Sequence, residues 1–265
     1  MGKDRDDLDA LRPLEAVPAS FSSGSVGVRL HPSGDQCLVV QFGEGVDVDV
    51  NRRACAFAQR IDAARWPFIT DVVPSFTGVG IHYRAERVPV HAGESPLATV
   101  ARLVRESLVQ PLVVAGDGGR QIEIPVCYGG DHGPDFEEVA AAAGVSPAEL
   151  VALHAGIDAH VFMIGFAPGT PYLGLWDSRL AIPRRKTPRT RVAAGTVAIA
   201  NRQTVIYAYD LPGGWNLIGR TPLAMFDPGR PQPGLLRAGD CVRFVPVSAD
   251  DFERLRTVGA RGGPT

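Results

Sequence analysis

Residues 160–222 read HVFMIGFAPGTPYLGLWDSRLAIPRRKTPRTRVAAGTVAIANRQTVIYAYDLPGGWNLIGRTP. Short β-rich runs, His160–Phe166, Thr196–Ala200, Thr204–Tyr209 and Leu217–Gly219, are parted by Gly- and Pro-rich loops, and another follows at Cys241–Val245. Many short runs with turn chemistry between them favour a closed or nearly closed β-barrel over a sandwich. Upstream, Ile122–Tyr128 reads as the opening strand of the same unit. Asp135 starts a short helix through Ala142, and Ser146-Pro-Ala-Glu149 is a capping box with proline at the first helical position. The helix it opens ends near His154, just before Gly156. Ser248–Arg256 reads as a closing helix, so the β domain is expected over 121–256, with 257–265 as a frayed tail.

On the N-terminal side the pattern changes. Ser25–Leu30 and Cys37–Phe42 flank the turn Pro32-Ser-Gly-Asp35 and read as a hairpin. Asn51 is placed to cap a helix to about Ala64, because Ala54, Phe57, Ala58 and Ile61 recur at spacings of three and four. Strands follow at Ile69–Phe76 and Gly78–Tyr83, then a helix over Ser95–Val109 carrying Leu97, Val100, Leu103, Val104 and Leu108 on one face. The order ββαββα predicts a small α+β domain over 21–113, its helices on one face of an antiparallel sheet. Residues 1–20 read as a mobile arm and 114–120, with Gly-Asp-Gly-Gly, as a linker.

Composition narrows the function classes. The chain has 265 residues, 45% hydrophobic and 21% charged, with 27 Lys plus Arg against 29 Asp plus Glu. A formal net charge of -2 argues against nucleic acid as the principal ligand. No run approaches the 18 apolar residues of a membrane helix, and the charged N-terminus lacks the pattern of a signal peptide, so a cytoplasmic protein is expected. Cys37, Cys55, Cys127 and Cys241 form no CxxC pair and read as buried free thiols in a reducing compartment. There is no GxxxxGK(S/T) loop, GxSxG elbow, HExxH or kinase signature. Apart from the loose pair His154 and His160, six residues apart across a helix end and a glycine, the histidines lack metal-ligand spacing, so no metal is expected.

Three segments carry chemistry. Gly165-Phe-Ala-Pro-Gly-Thr-Pro-Tyr172 turns sharply after a strand, which serves either a tight barrel corner or close approach of a ligand to the backbone. In Pro183–Arg191, five of the eight residues from 184 to 191 are basic, as a solvated loop or as a proline-stiffened site for carboxylate or phosphate. Pro212-Gly-Gly-Trp-Asn-Leu-Ile-Gly-Arg-Thr-Pro222 offers Trp215, either core or a stacking plate, and Arg220 for bidentate bonding to an acid or amide.

The runs GFAPGTPYLG, PRRKTPRTRVAAGTVAIANRQT, PGGWNLIGRTPLAMFDP and LLRAGDCVRFVPV resemble the allophanate hydrolase subunit 1 family, which takes in the B-type subunit of 5-oxoprolinase and the KipI-type histidine kinase inhibitors. The resemblance spans about residues 22–247. It implies a ferredoxin-like α+β domain followed by a cyclophilin-like β-barrel. It implies a subunit of a heteromeric ATP-dependent hydrolase acting on 5-oxoproline or a related cyclic or urea-type amide, with ATP as co-substrate of the complex. The implied partners are an allophanate hydrolase subunit 2 type protein, which is the C-type subunit of 5-oxoprolinase, and a third subunit. The alternative is a non-enzymatic inhibitor that docks on a sensor histidine kinase. Family motifs fall on His154 as proton donor or acceptor; on Arg184, Arg189, Gln203, Thr204, Trp215 and Arg220 as substrate-binding residues; and on Gly165, Phe166, Pro168, Gly169 and Thr170 as the loop shaping the pocket. For His154 a helix-end histidine facing the dipole is the competing reading.

This chain also departs from the family pattern. Thr170 stands where the family usually reads phenylalanine, and Ala159 where tyrosine is common. Ala193 and Ala208 replace prolines, and Asn201 a glycine. The fold is expected to survive these changes, whereas Thr170 and Ala159 are expected to enlarge or repolarise a pocket.

Overall fold

The computed structural model describes residues 14–17, 27–91, 93–114 and 119–261. The chain divides into two compact units, 1–115 and 116–265.

The first unit is a five-stranded antiparallel sheet with two helices. Its elements are β1 (Leu14–Val17), β2 (Val28–Pro32), β3 (Cys37–Gln41), α1 (Val48–Ala63), β4 (Ile69–Pro74), β5 (Gly78–Tyr83) and α2 (Pro96–Val109). The sheet order is β1-β2-β3-β5-β4. Alternation along the strands sends Val28 and Leu30, Leu38 and Val40, and Val79, Ile81 and Tyr83 to one face. There they meet Ala54, Phe57, Ala58 and Ile61 of α1 and Val100, Val104 and Leu108 of α2. Two amphipathic helices thus cover one side of the sheet, the layering that the pattern predicts.

The boundary of α1 differs from expectation. Asp47 caps the helix, accepting from the Asp49 and Val50 N–H groups at 2.8 and 3.0 Å. Asn51 lies one turn inside the helix and is fully buried. Its amide donates to the Ser75 carbonyl at 2.7 Å, tying α1 to the turn before β5. Residues 14–17, expected within a mobile arm, form a strand against β2. The rest of that arm lies outside the described residues, as do residues 25–26 of the first hairpin strand and most of the expected linker.

The second unit holds β6 (Gln121–Tyr128), α3 (Phe136–Ala143), α4 (Pro147–Ala155), β7 (Asp158–Ile164), β8 (Pro171–Gly174), β9 (Arg189–Val192), β10 (Thr196–Ala200), β11 (Gln203–Ile206), β12 (Leu211–Gly213), β13 (Asn216–Arg220), β14 (Cys241–Pro246) and α5 (Ala249–Arg261). Seven strands close in the order β10-β11-β8-β7-β14-β6-β13. Only β14 and β6 run parallel among the barrel pairs. Closure removes the unpaired edges of an open sheet. The Ser146–Glu149 capping box forms as the sequence predicts.

The wall made by β10, β11 and β13 is buried on both faces. Val197, Ile199, Ile206 and Ile218 point into the barrel, joined by Val161, Leu173, Val242 and Phe244. Ala198, Ala200, Val205, Tyr207 and Leu217 point outward and pack with Trp215 and Val192. The outer layer exists because β9 and β12 pair into a separate two-stranded ribbon. Three of these strands, β8, β9 and β12, are unmarked by apolar runs, and β9 lies inside the basic block expected to be a loop. The closing helix also runs further than predicted, to Arg261, which removes most of the expected frayed tail; residues 262–265 lie outside the described set. Cys37, Cys55 and Cys127 are buried free thiols, whereas Cys241 is half-buried.

Replacing Asn51 by alanine strands the Ser75 carbonyl. The loss is about 1–3 kcal/mol, read as a lower midpoint in urea unfolding.

Candidate functional site

A cavity of about 340 Å³ opens on the outer face of the doubly buried wall. Strand parity decides which residues reach it. Val205 and Tyr207 face outward and line it, whereas their neighbour Thr204 faces the barrel interior. Tyr172 of β8 lines it beside Thr170. The walls are completed by Phe166, by Arg184, Arg185 and Pro188, and by Pro212, Gly213, Gly214 and Trp215. All three segments that the sequence marked as chemical therefore converge on one hollow.

Each segment is held by the backbone of another. The Arg185 N–H donates to the Gly214 carbonyl at 2.7 Å, and the Asn216 side-chain amide donates to the Pro183 carbonyl at 2.9 Å. Gly213 is required by close approach, since a Cβ there would sit 2.0 Å from the Tyr207 hydroxyl. Gly169 has φ +79°, and a Cβ on it would fall 2.7 Å from Cβ of Phe226. Phe166 adopts φ +69°, is 67% exposed and lines the cavity, and Pro168 of the same loop is exposed.

The basic block is sorted by a buried carboxylate. Asp135, 3% exposed, accepts from Arg185 at 3.0 Å, from Arg189 at 2.7 Å and from the Leu217 N–H at 2.8 Å. It makes no cap bond to α3, the role its position suggested. Arg191 is paired with Asp210 at 2.5 Å. Arg184 differs: among the described residues it meets no carboxylate, and its guanidinium lies 5.2 Å from the centre of the Trp215 ring. A cation over an aromatic face in a half-dry hollow can bind an anion without first breaking an ion pair. Tyr172 packs edge-on against Trp215 with 6.0 Å between ring centres. Burial raises the pKa of both Tyr172 and Tyr207, while Arg184 pulls each back down. Both phenols therefore stay protonated near neutrality.

The remaining expected site residues lie elsewhere. His154 is fully buried in the barrel interior, stacked on Trp176 at 4.9 Å. Its Nδ1 meets the Tyr128 hydroxyl at 2.8 Å and its Nε2 the Thr204 hydroxyl at 2.9 Å. Burial lowers its pKa from 6.5 to about 3. Such an imidazole is a satisfied core group, so the proton-transfer role expected of it and the pocket role of Thr204 find no support in the geometry. Arg220 donates to the Ala194 carbonyl at 2.9 Å, and Gln203 pairs with Ala200 at the β10–β11 turn; neither lines the cavity. Arg189 is spent on Asp135. Ala159 is fully buried in the barrel core, so its departure from the family pattern does not reshape this hollow. Arg184, Trp215, Phe166 and Thr170 are brought together as expected, with Gly165, Pro168 and Gly169 shaping the adjoining loop.

Sequence reading missed Tyr172, Tyr207 and Asp135. The tyrosines had a signal, because each is two residues from another cavity-lining position, Tyr172 from Thr170 and Tyr207 from Val205. Asp135 had none, since a helix cap explained it locally. Among the described residues no group of three or more His, Cys, Asp or Glu is placed to share a metal ion, and no helix is long and apolar enough to cross a membrane.

The comparisons with known proteins agree with this architecture. The family model described as carboxyltransferase domain, subdomain C and D matches residues 28–236. A Bacillus subtilis protein named as the B-type subunit of 5-oxoprolinase is 41% identical over 86% of this chain and 96% of its own length. Its namesake from Escherichia coli O157:H7 is 38% identical over 82% of this chain and 95% of its own length. The crystal structure of TTHA0988 superposes with a TM-score of 0.70 at 37% identity, covering 81% of this chain and 40% of that longer one. The K. lactis urea amidolyase, at 19% identity and a TM-score of 0.72, shares the fold over 94% of this chain and 16% of its own.

Two measurements check the site's scaffold. Asp135→Ala leaves Arg189 and the Leu217 N–H without their buried partner, and is expected to cost about 3–5 kcal/mol in denaturant unfolding. For His154 the folded pKa is depressed, so between pH 6.5 and about 3 the unfolded chain binds the extra proton. Its contribution is complete above pH 6.5 and falls as pH drops, by about 1.4 kcal/mol per pH unit. The stability gap between wild type and His154→Asn therefore narrows from pH 7 to pH 4.

Proposed function

The chain belongs to the carboxyltransferase subdomain C and D family, and from that membership we propose that it is the B-type subunit of an ATP-dependent 5-oxoprolinase, acting on a small carboxylate-bearing amide held in the cavity beside Arg184. In this reading the first unit is a ferredoxin-like domain and the second a cyclophilin-like barrel, joined through residues 114–120. The complex works in the cytoplasm with a subunit 2 type partner, the C-type subunit of 5-oxoprolinase, and a third subunit. ATP is its co-substrate and is handled away from this chain, which has no nucleotide-binding loop of the GxxxxGK(S/T) type.

One observation carries the site assignment. Arg184 is a cation without a carboxylate partner among the described residues, set over Trp215 in a hollow whose other walls include Tyr172, Tyr207, Val205, Pro188 and Pro212. The aromatic and apolar walls suit the faces of a small ring or planar amide, and the guanidinium suits its carboxylate. Phe166 at the lip is placed to limit solvent access. Arg185 contributes shape rather than free charge, because Asp135 and Glu138 neutralise it.

The test is 5-oxoproline-dependent ADP release by the complex assembled from purified subunits. Arg184→Ala is expected to raise KM for 5-oxoproline at least about tenfold, the scale of a lost charge-assisted bond. Unchanged KM overturns the placement of the substrate, and absence of 5-oxoproline-dependent turnover in the wild-type complex overturns the activity.

A further inference from the structure

Among the described residues Phe166 is the only exposed phenylalanine, and it lines the cavity. Its backbone is as unusual as its exposure. Arg65, Phe166, Asn201 and Arg202 are the described non-glycine residues with positive φ, and of these only Phe166 lines the cavity. The Ala167 N–H donates to the Gly165 carbonyl at 2.8 Å across Phe166, whose φ is +69°. This is a γ-turn of the positive-φ hand, a rare and strained form that glycine would adopt without a steric penalty. The surrounding turn enforces it: the Gly165 N–H donates to the Thr170 carbonyl at 3.0 Å, and the Thr170 N–H to the Ala167 carbonyl at 3.1 Å. Gly169 seats the turn closely against Phe226, whose Cβ a side chain at 169 would meet at 2.7 Å. Strain held in place by its surroundings, at the wall of a cavity, points to function rather than to folding.

Folding gains little from this side chain, because most of its surface stays in water and its backbone conformation is unfavourable. The ring becomes stabilising only when something covers it, and the cavity identifies what. Phe166 shares that hollow with Val205, Tyr172, Trp215 and Arg184, whose guanidinium lies 5.2 Å from the centre of the Trp215 ring. A small molecule held there has one face on the aromatic and apolar wall and the other toward the opening. Resting on the reading of the cavity given above, we infer that Phe166 is a substrate-contacting residue: its ring packs over the outer face of the same small molecule whose carboxylate Arg184 holds, so that ligand and ring cover one another. Because the turn is pinned on both sides, the movement this requires is a rotation of the Phe166 side chain rather than closure of a loop. Apolar surface then leaves water only in the bound state, which favours ligands that present an apolar face.

The experiment is isothermal titration calorimetry of 5-oxoproline into the complex assembled from purified subunits, without ATP and at several temperatures. Phe166→Ala is expected to weaken binding at least about tenfold and to make the heat-capacity change of binding clearly less negative, since that change reports the apolar surface covered. Phe166→Leu, which keeps an apolar side chain, should restore most of both. Phe166→Gly should weaken binding as alanine does yet melt no lower than wild type, because it relieves the strained turn; a clearly lower Tm would mean that the ring is structural and would overturn the inference. Affinity and heat-capacity change unmoved in Phe166→Ala would also overturn the role of Phe166 while leaving the cavity assignment intact. Failure of Phe166→Ala to assemble with the partner subunits would make the ring a contact between subunits and overturn the inference in the same way. Failure of wild type to bind 5-oxoproline would overturn the cavity assignment itself, and the role of Phe166 with it.

Discussion

Asp135 brings into one place what the chain separates by more than eighty residues. Its carboxylate sits at the start of α3, yet it bonds Arg185 and Arg189 from the basic block and the Leu217 N–H from β13. A charge this deeply buried is tolerated only when several donors surround it. Three donors do so here, and in meeting them the carboxylate pins the basic block against the barrel wall. The consequence for the site is indirect but decisive. Two arginines are used up in structure, and Arg184, their neighbour in sequence, keeps its guanidinium over Trp215.

That arrangement depends in turn on a wall with two apolar faces. In most small barrels the outer face meets water, and alternate residues are polar. In β10 every residue is buried, because the β9–β12 ribbon and Trp215 cover the outside while the barrel core fills the inside. The same alternation separates structure from function. Thr204 points inward to His154, and Val205 beside it points outward to the cavity. A one-residue step along a strand divides a core hydrogen bond from a binding surface. The interior pair of His154 with Tyr128 and Thr204 is a fully satisfied polar network inside an apolar core, which fixes the position of α4 against the barrel.

The legible parts of the molecule were those carried by local periodicity. The two helices of the first unit, the strands at Gly78–Tyr83 and Thr196–Ala200, and the capping box at Ser146 follow from spacing and cap chemistry within a dozen residues. The cap of α1 was misread because Asp47 and Asn51 are both good capping residues, and only the tertiary partner of Asn51, the Ser75 carbonyl, assigns it to the interior. Strand β9 was hidden because its residues Arg189-Thr-Arg-Val are charged. Its pairing with β12 comes from a contact twenty residues away rather than from its own composition. For the site, Arg184, Trp215, Thr170 and Phe166 were legible as motif residues, whereas Tyr172 and Tyr207 required knowledge of which strand face is outward.

By itself, the sequence determined most element types, the division into an α+β unit and a β unit, the family, and the three segments that carry chemistry, since each of these rests on short-range pattern or on motifs in order. Only the tertiary structure decided which of the basic and polar residues remain available to a ligand. Pairing, burial and strand parity join residues distant in sequence. His154, Arg189, Arg220 and Arg184 look equally reactive as letters, but His154 is bonded to Tyr128 and Thr204 in the core, Arg189 to Asp135 and Arg220 to the Ala194 carbonyl, while Arg184 meets no carboxylate among the described residues.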